Sequence, residues 1–492
     1  MSFSKTVLKN TFWVSSGQVV NLVFNFLWVA IVARYIGPSL YGIYGYGYSL
    51  CAMSILLVNF GFDQLMILRV TTDQNQTFPL LKKILKLKLS ALPIYFLIII
   101  GIGFFRHEGG NWWQVVSLVS AIVSLDAISY SFVAIFQSHQ LMEYDVILQV
   151  IGAAFELAGA YYGIHHGFPF HLLLLFNVIA SLFRLGSLSA LVSKKLAVFS
   201  QRTAEEPPRF WAIWREALPL FLLSIVSILY SNLLILICGW LNRSPEELGV
   251  FVAATRLQSY ILMLPATLTT VLLPAFSNLY AQSRSEFLVK FNGVVKLLYW
   301  ISIPLSLMFS INAGGIVRFV YGSKFLNAAP LLSILALILM SGSSYAFGST
   351  MLIIGKRYLS LALYGITTVF IAAFSLVFIP RWGVEAACWA QFGGAALGIV
   401  IYPAYLYRFF SINFPFLYLA KVIGATIAMA VLDRSLLAWN FPFILAGAIA
   451  WGGLIAVSYL LGIFKGSEWS VVKHLVDKFY AFIKRPPTLQ GI

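Results

Sequence analysis

Long apolar stretches are the feature that most constrains this chain. A helix needs about 20 mostly apolar residues to cross the hydrocarbon core of a bilayer. The sequence contains fourteen such stretches, at approximately 11–36, 40–66, 88–106, 112–137, 146–164, 169–192, 212–240, 249–276, 291–313, 327–353, 359–379, 383–406, 414–432 and 441–463. Because backbone groups in lipid must be hydrogen-bonded within the segment itself, we predict an all-α integral membrane protein with about fourteen transmembrane helices.

Composition excludes the main soluble classes. Hydrophobic residues make up 60% of the 492 residues and charged residues only 10%, whereas soluble domains carry about 25% charged residues. A net charge of +16 is compatible with nucleic-acid binding only if the basic residues cluster on a folded polar domain. No stretch between the spans is long enough for such a domain, so we expect no nucleic-acid partner.

The basic residues instead indicate orientation. With the N-terminus in the cytoplasm, inner segments hold 23 lysines and arginines and outer loops hold 7, while Arg184, Arg256 and Lys421 lie within spans. Positive residues in short loops stay on the cytoplasmic side, so both termini are predicted to be cytoplasmic. The stretches 78–89 and 467–485 mix apolar and basic positions at helical spacing, which predicts helices lying at the membrane surface.

Cysteines and histidines indicate no metal or disulfide chemistry. Each of the three cysteines stands alone in an apolar run, as small buried residues do. The histidines of "GIHHGFPFH" (163–171) lack a regular ligand spacing, so we predict no metal site. The sequence has neither an ATP-binding loop nor a hydrolase motif, and we therefore predict no catalytic residues.

An internal repeat relates two of the outer turns. Shifting the sequence by 207 residues places Pro38 on Pro245 and Gly42 on Gly249, in the turns between spans one and two and between spans seven and eight. Transporter folds commonly contain such repeats, which predicts two related halves in parallel orientation. The predicted domains are a six-helix lobe, a cytoplasmic linker, a second six-helix lobe, a helix pair and an amphipathic tail, at 1–193, 194–210, 211–408, 409–464 and 465–492.

Several ordered motifs resemble one family. They are "ARYIGPSLYGIYGYG" (33–47), "FGFDQLMILR" (60–69), "VYGSKFLNAAPLLSIL" (320–335), "IIGKRYLSLALYGI" (353–366) and "IPRWGVEAACWA" (379–390). The chain resembles the Wzx-type polysaccharide and O-antigen flippases, the polysaccharide transport branch of the multidrug/oligosaccharidyl-lipid/polysaccharide exporter superfamily. The resemblance implies two six-helix lobes of the MATE and MurJ type around a cavity that opens alternately to either side, plus two extra C-terminal helices.

The same resemblance implies a function. The expected cargo is an oligosaccharide repeat unit on undecaprenyl diphosphate, flipped across the bacterial inner membrane for O-antigen, capsule or exopolysaccharide synthesis. The protein would be a transporter and not an enzyme, without a cofactor. Because the sequence has no ATP-binding loop, three energy sources stay open: a proton or sodium gradient, the gradient of the substrate itself, and a partner protein. Membrane lipids, the polysaccharide polymerase and the chain-length regulator are the implied partners. Two alternatives remain open: a flippase for the peptidoglycan precursor, and a drug/cation antiporter of the same superfamily.

Arg256 is the first candidate for a substrate contact. It follows the turn that opens span eight, and lies about 10 Å below the outer membrane edge at about 1.5 Å per residue. A guanidinium matches the geometry of a phosphate, and the superfamily resemblance favours an arginine on this helix. The alternative is a structural ion pair or a side chain that reaches the interface.

Two polar stripes are further candidates for the cavity wall. Gln18, Asn21 and Asn25 recur at helical spacing on span one, and Ser227 and Ser231 do so on span seven. Such spacing places each set on one helix face. The two open interpretations are a water-filled cavity and hydrogen bonds that join helices.

Charged residues inside spans complete the candidate site, because such residues are costly and rare in membranes. Asp126, Glu156 and Arg184 have comparable depths in spans four to six. We expect one buried cluster, in which Arg184 either locks the bundle by neutralising a carboxylate or leaves a surplus carboxylate that couples flipping to an ion gradient.

Charges at the inner ends of spans two and seven suggest a cytoplasmic gate. Asp63 and Arg69 are one to two helical turns apart, a spacing that allows a same-side pair. Arg215 and Glu216 occupy the inner end of span seven. We predict that all four contribute to the gate, either as a structural lock or as substrate contacts.

Overall fold

A computed structural model describes residues 3–106, 109–195, 210–241, 243–410 and 414–463. These residues form helices and short turns, with no strand among them. The helices are α1 Phe3–Ser54, α2 Leu56–Asn59, α3 Phe62–Thr72, α4 Thr77–Phe105, α5 Gly110–Ser138, α6 Met142–His165, α7 Phe170–Lys195, α8 Phe210–Trp240, α9 Pro245–Gln282, α10 Arg284–Ile311, α11 Ala313–Tyr321, α12 Ala328–Ala336, α13 Gly342–Ile353, α14 Arg357–Trp382, α15 Val384–Phe410, α16 Phe416–Ala438 and α17 Phe443–Leu460. Residues 196–209 of the predicted linker and the predicted surface helix 467–485 lie outside the described residues.

Within the described part of the chain, thirteen helical segments are long and apolar enough to cross a membrane. The first of them, Ser16–Asn59, has 44 residues and is bent at Gly37. The rings of Trp28 and Tyr44 are 6.0 Å apart, although a straight helix would separate these residues by about 24 Å. The chain therefore folds back at Gly37 and this segment supplies two crossings, which confirms the predicted fold class of about fourteen spans.

Glycine and proline make this fold-back possible. Gly37 has a φ of 75°, in the left-handed region that glycine adopts without strain. Pro38 follows it and begins the second helix, where its missing N–H costs nothing. The interruption of an otherwise apolar helix is thus a membrane-edge turn.

The two repeat-related turns touch each other. A Cβ on Gly42 would lie 1.9 Å from the carbonyl oxygen of Pro245, and a Cβ on Gly249 would lie 1.8 Å from that of Pro38. Each position therefore requires glycine. Reciprocal contacts of this kind are what a twofold axis produces, and the paired residues are those matched by the 207-residue shift.

The described residues group into two compact units. The first lies within residues 1–252 and includes Val320–Phe325, and the second comprises Ala253–Phe319 with the described part of 326–492. The first unit has a core around α3, α4 and α5, while α10, α13 and α15 surround a core in the second. Helix α8 groups with the first unit by its contacts. The predicted division into lobes follows the repeat instead, and it stays a prediction.

The sequence of the stretch 78–89 suggested a helix at the membrane surface, but the structure shows a different arrangement. It forms the first turns of α4, where Leu80, Ile84 and Leu87 are buried in the first core. Its apolar face packs on α3 and α5 rather than on lipid. The prediction of a membrane-surface helix is therefore wrong for this stretch, because its apolar side chains are covered by protein.

Candidate functional site

A chain of hydrogen bonds links three helices inside the first unit. The Asn21 amide on α1 donates to Gln149 Oε1 on α6 at 2.9 Å. Gln149 Nε2 in turn donates to Asp145 Oδ2 at 2.9 Å. The other oxygen of Asp145 accepts a 2.8 Å hydrogen bond from Arg184 Nη2 on α7. The Asp145–Arg184 ion pair is thus buried and held from both sides.

Two more carboxylates meet the same face of α7. Ser181 Oγ donates to Asp126 Oδ1 at 3.2 Å, and Asn177 Nδ2 donates to Glu156 Oε2 at 3.2 Å. Residues 177, 181 and 184 recur at helical spacing, which puts them on one side of the helix. That side of α7 therefore presents an amide, a hydroxyl and a guanidinium to three different carboxylates.

The cluster contains more acid than base. Among the described residues, neither Asp126 nor Glu156 has a basic side chain within 4 Å, because Arg184 is paired with Asp145. Arg184 forms its ion pair with Asp145, an acid that the prediction did not include. The reason is register: Arg184 lies about one turn along α7 from Ser181, next to Asp145. Such surplus, half-buried carboxylates can take up protons or cations.

Asp145 and Gln149 were missed in the sequence. The predicted span 146–164 begins one residue after Asp145, so this acid was assigned to a loop. The structure begins α6 at Met142, which places Asp145 in its first turn. The spacing of Asp145 and Gln149, four residues apart, was the available signal for a shared polar face.

A second polar contact joins α3 to α8. Arg69 donates to Glu216 through Nε at 3.0 Å and through Nη2 at 2.6 and 2.7 Å. This is the two-pronged geometry that makes arginine–carboxylate pairs strong. Both residues line a cleft of about 480 Å³. Arg215 is exposed and lines no part of this cleft.

Asp63 does not pair with Arg69, contrary to the expectation from spacing. Lys88 Nζ lies 2.7 and 2.8 Å from the two oxygens of Asp63, and it also donates to the Ala127 carbonyl oxygen. Ser131 Oγ donates to Asp63 Oδ1 at 2.9 Å. Lys88 was counted among the inner-loop charges, yet its side chain is fully buried. This pair ties α3, α4 and α5 together.

The predicted cavity residues occupy different settings. Gln18, Asn25, Ser227 and Ser231 are exposed, and Asn21 is half-buried in the hydrogen-bond chain described above. The Ser231 hydroxyl donates to the Ser227 carbonyl oxygen of its own helix at 3.0 Å. Their role as cavity wall stays a prediction.

Arg256 lies on α9 in the second unit and is half-buried. It is eleven residues beyond Pro245, the start of the helix, or about 16 Å along the axis. Its predicted contact with substrate stays a prediction. Among the described residues, no group of three His, Cys, Asp or Glu side chains is arranged to hold a metal ion.

Comparison with known proteins identifies the family. The family described as "Polysaccharide biosynthesis protein" matches residues 7–280, more than half of the chain. The protein belongs to this family. No curated protein matches the sequence.

Solved structures of membrane transporters share the fold of this polysaccharide biosynthesis family member. "Lipid II flippase MurJ, inward closed conformation" aligns with a TM-score of 0.65 and 13% identity, covering 92% of this chain and 99% of that one. An inward-facing multidrug resistance MATE transporter of the MOP superfamily aligns with a TM-score of 0.62 and 16% identity, covering 79% of this chain and 94% of that one. A further MOP superfamily transporter, from Pyrococcus furiosus, aligns with a TM-score of 0.54 and 15% identity, covering 83% of this chain and 96% of that one. Family and fold together support a multi-pass membrane transporter or flippase.

Proposed function

We propose that this protein moves oligosaccharide repeat units, linked to undecaprenyl diphosphate, from the inner to the outer leaflet of a bacterial inner membrane. The observation that carries the proposal is the combination of a polysaccharide biosynthesis family with a transporter fold. O-antigen, capsule or exopolysaccharide would be the final product. Both termini would face the cytoplasm, and the polymerase and chain-length regulator would act on the same cargo.

Arg256 and the polar stripes would contact the cargo. A diphosphate is doubly anionic and accepts several hydrogen bonds, and a guanidinium satisfies both requirements. Gln18, Asn21 and Asn25 would offer hydrogen bonds to sugar hydroxyls, as would the serines of α8. Half-burial of Arg256 in the membrane-spanning part of α9 supports this role, since charges there are usually functional.

The acidic cluster would couple flipping to an ion gradient. With Arg184 paired to Asp145, Asp126 and Glu156 are the two carboxylates that a proton or a sodium ion would neutralise. Collapse of the proton gradient or of the sodium gradient, one at a time, would identify the ion. Flipping that continues unchanged without either gradient would contradict this part of the proposal.

One observation favours a second candidate, the drug/cation antiporter. A cavity for cations should contain acids, and Asp126 and Glu156 have no basic partner within 4 Å among the described residues. A flippase for the peptidoglycan precursor is the third possibility, because the cargo would share the diphosphate. The decisive difference is the cargo itself.

A complementation experiment tests the proposal. In cells that lack this gene, we expect loss of surface polysaccharide, restored by the wild-type chain and by Arg256→Lys in part, but not by Arg256→Ala. Arg381→Ala, which removes an exposed arginine at another helix end, is the matched control and should restore polysaccharide fully. Unchanged polysaccharide with altered drug sensitivity in the deleted cells would instead support the antiporter.

A further inference from the structure

Helices α14 and α15 form a hairpin whose outer surface is rich in aromatic rings. The turn is Gly383, with a φ of 66°. Along α14 an aromatic residue recurs every four positions, and the successive ring centroids are 5.9, 4.4 and 4.7 Å apart, for Phe370, Phe374, Phe378 and Trp382. Residues four apart share one helix face, so the rings form a continuous ladder.

A cleft of about 790 Å³ lies between this ladder and α15. Phe370, Phe374 and Trp382 line it from one helix, and Trp389 and Gly393 from the other. A Cβ on Gly393 would lie 2.8 Å from a ring carbon of Phe370, so glycine lets the Phe370 ring pack directly against α15 at this point. The volume is within the range of about 300–1,000 Å³ that ligand pockets have.

The cleft has the depth of one membrane leaflet. Trp382 adjoins the turn, and Phe370 lies twelve residues further along the helix, about 18 Å away. Half of the hydrocarbon core is about 15 Å thick. The aromatic wall provides a continuous apolar contact for an acyl chain.

The mouth of the cleft carries a negative charge. Glu385 lies next to the turn and is the one charged residue among those that line the cleft. Its carboxylate accepts a long contact, 3.4 Å, from Trp389 Nε1, and no basic side chain of the described residues lies within 4 Å of it. Trp382 and Trp389 are 57% and 39% exposed beside it. Indole faces and a carboxylate both attract an ammonium group.

From this arrangement we propose that the cleft binds a phospholipid with an ammonium head group, such as phosphatidylethanolamine. The ammonium lies at Glu385 between the two indole rings, and one acyl chain runs along Phe374 to Phe370. The Glu385 carboxylate, which lines the cleft, disfavours an anionic head group at that position. The cleft is therefore a site for a membrane lipid and not for the cargo, and the inference does not depend on the proposed flippase activity.

Glu385 also has a simpler structural role to be separated from lipid binding. It is the second residue of α15, where a carboxylate stabilises the helix dipole. Glu246 occupies the same second position in α9 and lines neither of the two clefts described. Glu246→Gln is thus a matched control that removes the same charge from the same helix position.

Native mass spectrometry of the purified full chain tests the site. The protein is mixed with equal amounts of phosphatidylethanolamine and phosphatidylglycerol that have identical acyl chains, and the lipids that stay bound are counted. We expect a preference for phosphatidylethanolamine, reduced about fivefold in Glu385→Gln, the effect of one charge at a membrane surface. Glu246→Gln should keep the wild-type preference.

Two cleft variants test the acyl-chain contact. Gly393→Leu fills the cleft, and Trp389→Leu removes a ring without adding volume; both should lower retention of both lipids, so one variant suffices if the other does not fold. Equal retention of the two head groups by the wild type, or an equal loss in Glu246→Gln and Glu385→Gln, would overturn the proposal. Normal retention in both cleft variants would do so as well.

Discussion

The buried pair between Lys88 and Asp63 gives the sharpest stability prediction. The Lys88 side chain is 0% exposed and that of Asp63 is 16% exposed. All contacts of the ammonium, namely the two carboxylate oxygens and the Ala127 carbonyl, lie within hydrogen-bond distance. Replacing Asp63 by leucine leaves this ammonium with the Ala127 carbonyl alone.

The size of the effect follows from two independent limits. Breaking a buried ion pair by removing one partner costs about 3–5 kcal/mol. The lysine can escape only by giving up its proton, which at pH 7 costs about 4.6 kcal/mol for an ordinary lysine pKa of about 10.4. Both limits agree, so we expect Asp63→Leu to lower the free energy of unfolding by about 3–5 kcal/mol. For a unit of roughly 250 residues this lowers Tm by about 6–10 °C.

The assay is thermal unfolding of the purified full chain in detergent, followed by tryptophan fluorescence. The double variant Asp63→Leu with Lys88→Met should recover most of the loss, because an apolar pair of similar volume replaces the charges. Lys290→Met is the control: it breaks an exposed pair with Glu286 and should cost less than about 1 kcal/mol. A Tm for Asp63→Leu within 2 °C, roughly, of the wild type would refute the buried-pair reasoning.

Three further predictions concern the Gly42 contact, the Arg69–Glu216 pair and His139, which follows the end of α5. Gly42→Ala should lower the free energy of unfolding by about 1–3 kcal/mol, since its Cβ would overlap a carbonyl oxygen. The control is Gly101→Ala, whose Cβ would have nothing within 4 Å. In the same Tm assay this control should be neutral or stabilising. Arg69→Glu should impair polysaccharide complementation, and the added change Glu216→Arg should restore it if their pairing is what matters; no rescue by the swap would argue against a gate. Burial lowers the pKa of His139, so the unfolded chain binds a proton at this histidine more strongly than the folded chain does. The free energy of unfolding therefore falls as pH drops below about 6.5. The variant His139→Gln should show a smaller fall in Tm over the same pH range.

The architecture was predictable because it depends on length and composition. A span needs about 20 apolar residues, and that count locates the crossings without knowledge of their contacts. The turn at Gly37–Pro38 was also readable, since glycine and proline have restricted uses in a membrane helix. The repeat also matched the two turns that contain Gly42 and Pro245. Only the structure shows that the backbones of these two residues are in contact.

The pairing of charges could not be predicted in the same way. Which acid meets Arg184 depends on the register of α7 against α5 and α6, and a shift of one turn exchanges Asp126 for Asp145. Lys88, about three turns inside α4, shows the same limit, because a lysine inside a helix and one in a loop look alike in sequence. Both outcomes depend on where helices cross, which spacing within one helix does not determine.

Transbilayer movement of the cargo tests the central claim most directly. The purified chain is reconstituted in proteoliposomes with an undecaprenyl-diphosphate-linked oligosaccharide, and the sugar exposed on the outer leaflet is measured with time by an impermeant glycosidase. We expect the protein to make the sugar of the inner leaflet accessible, and vesicles that contain Arg256→Ala to behave like protein-free vesicles. A wild-type protein that leaves half of the sugar protected, while it exchanges a cationic drug for protons or sodium, would contradict the account.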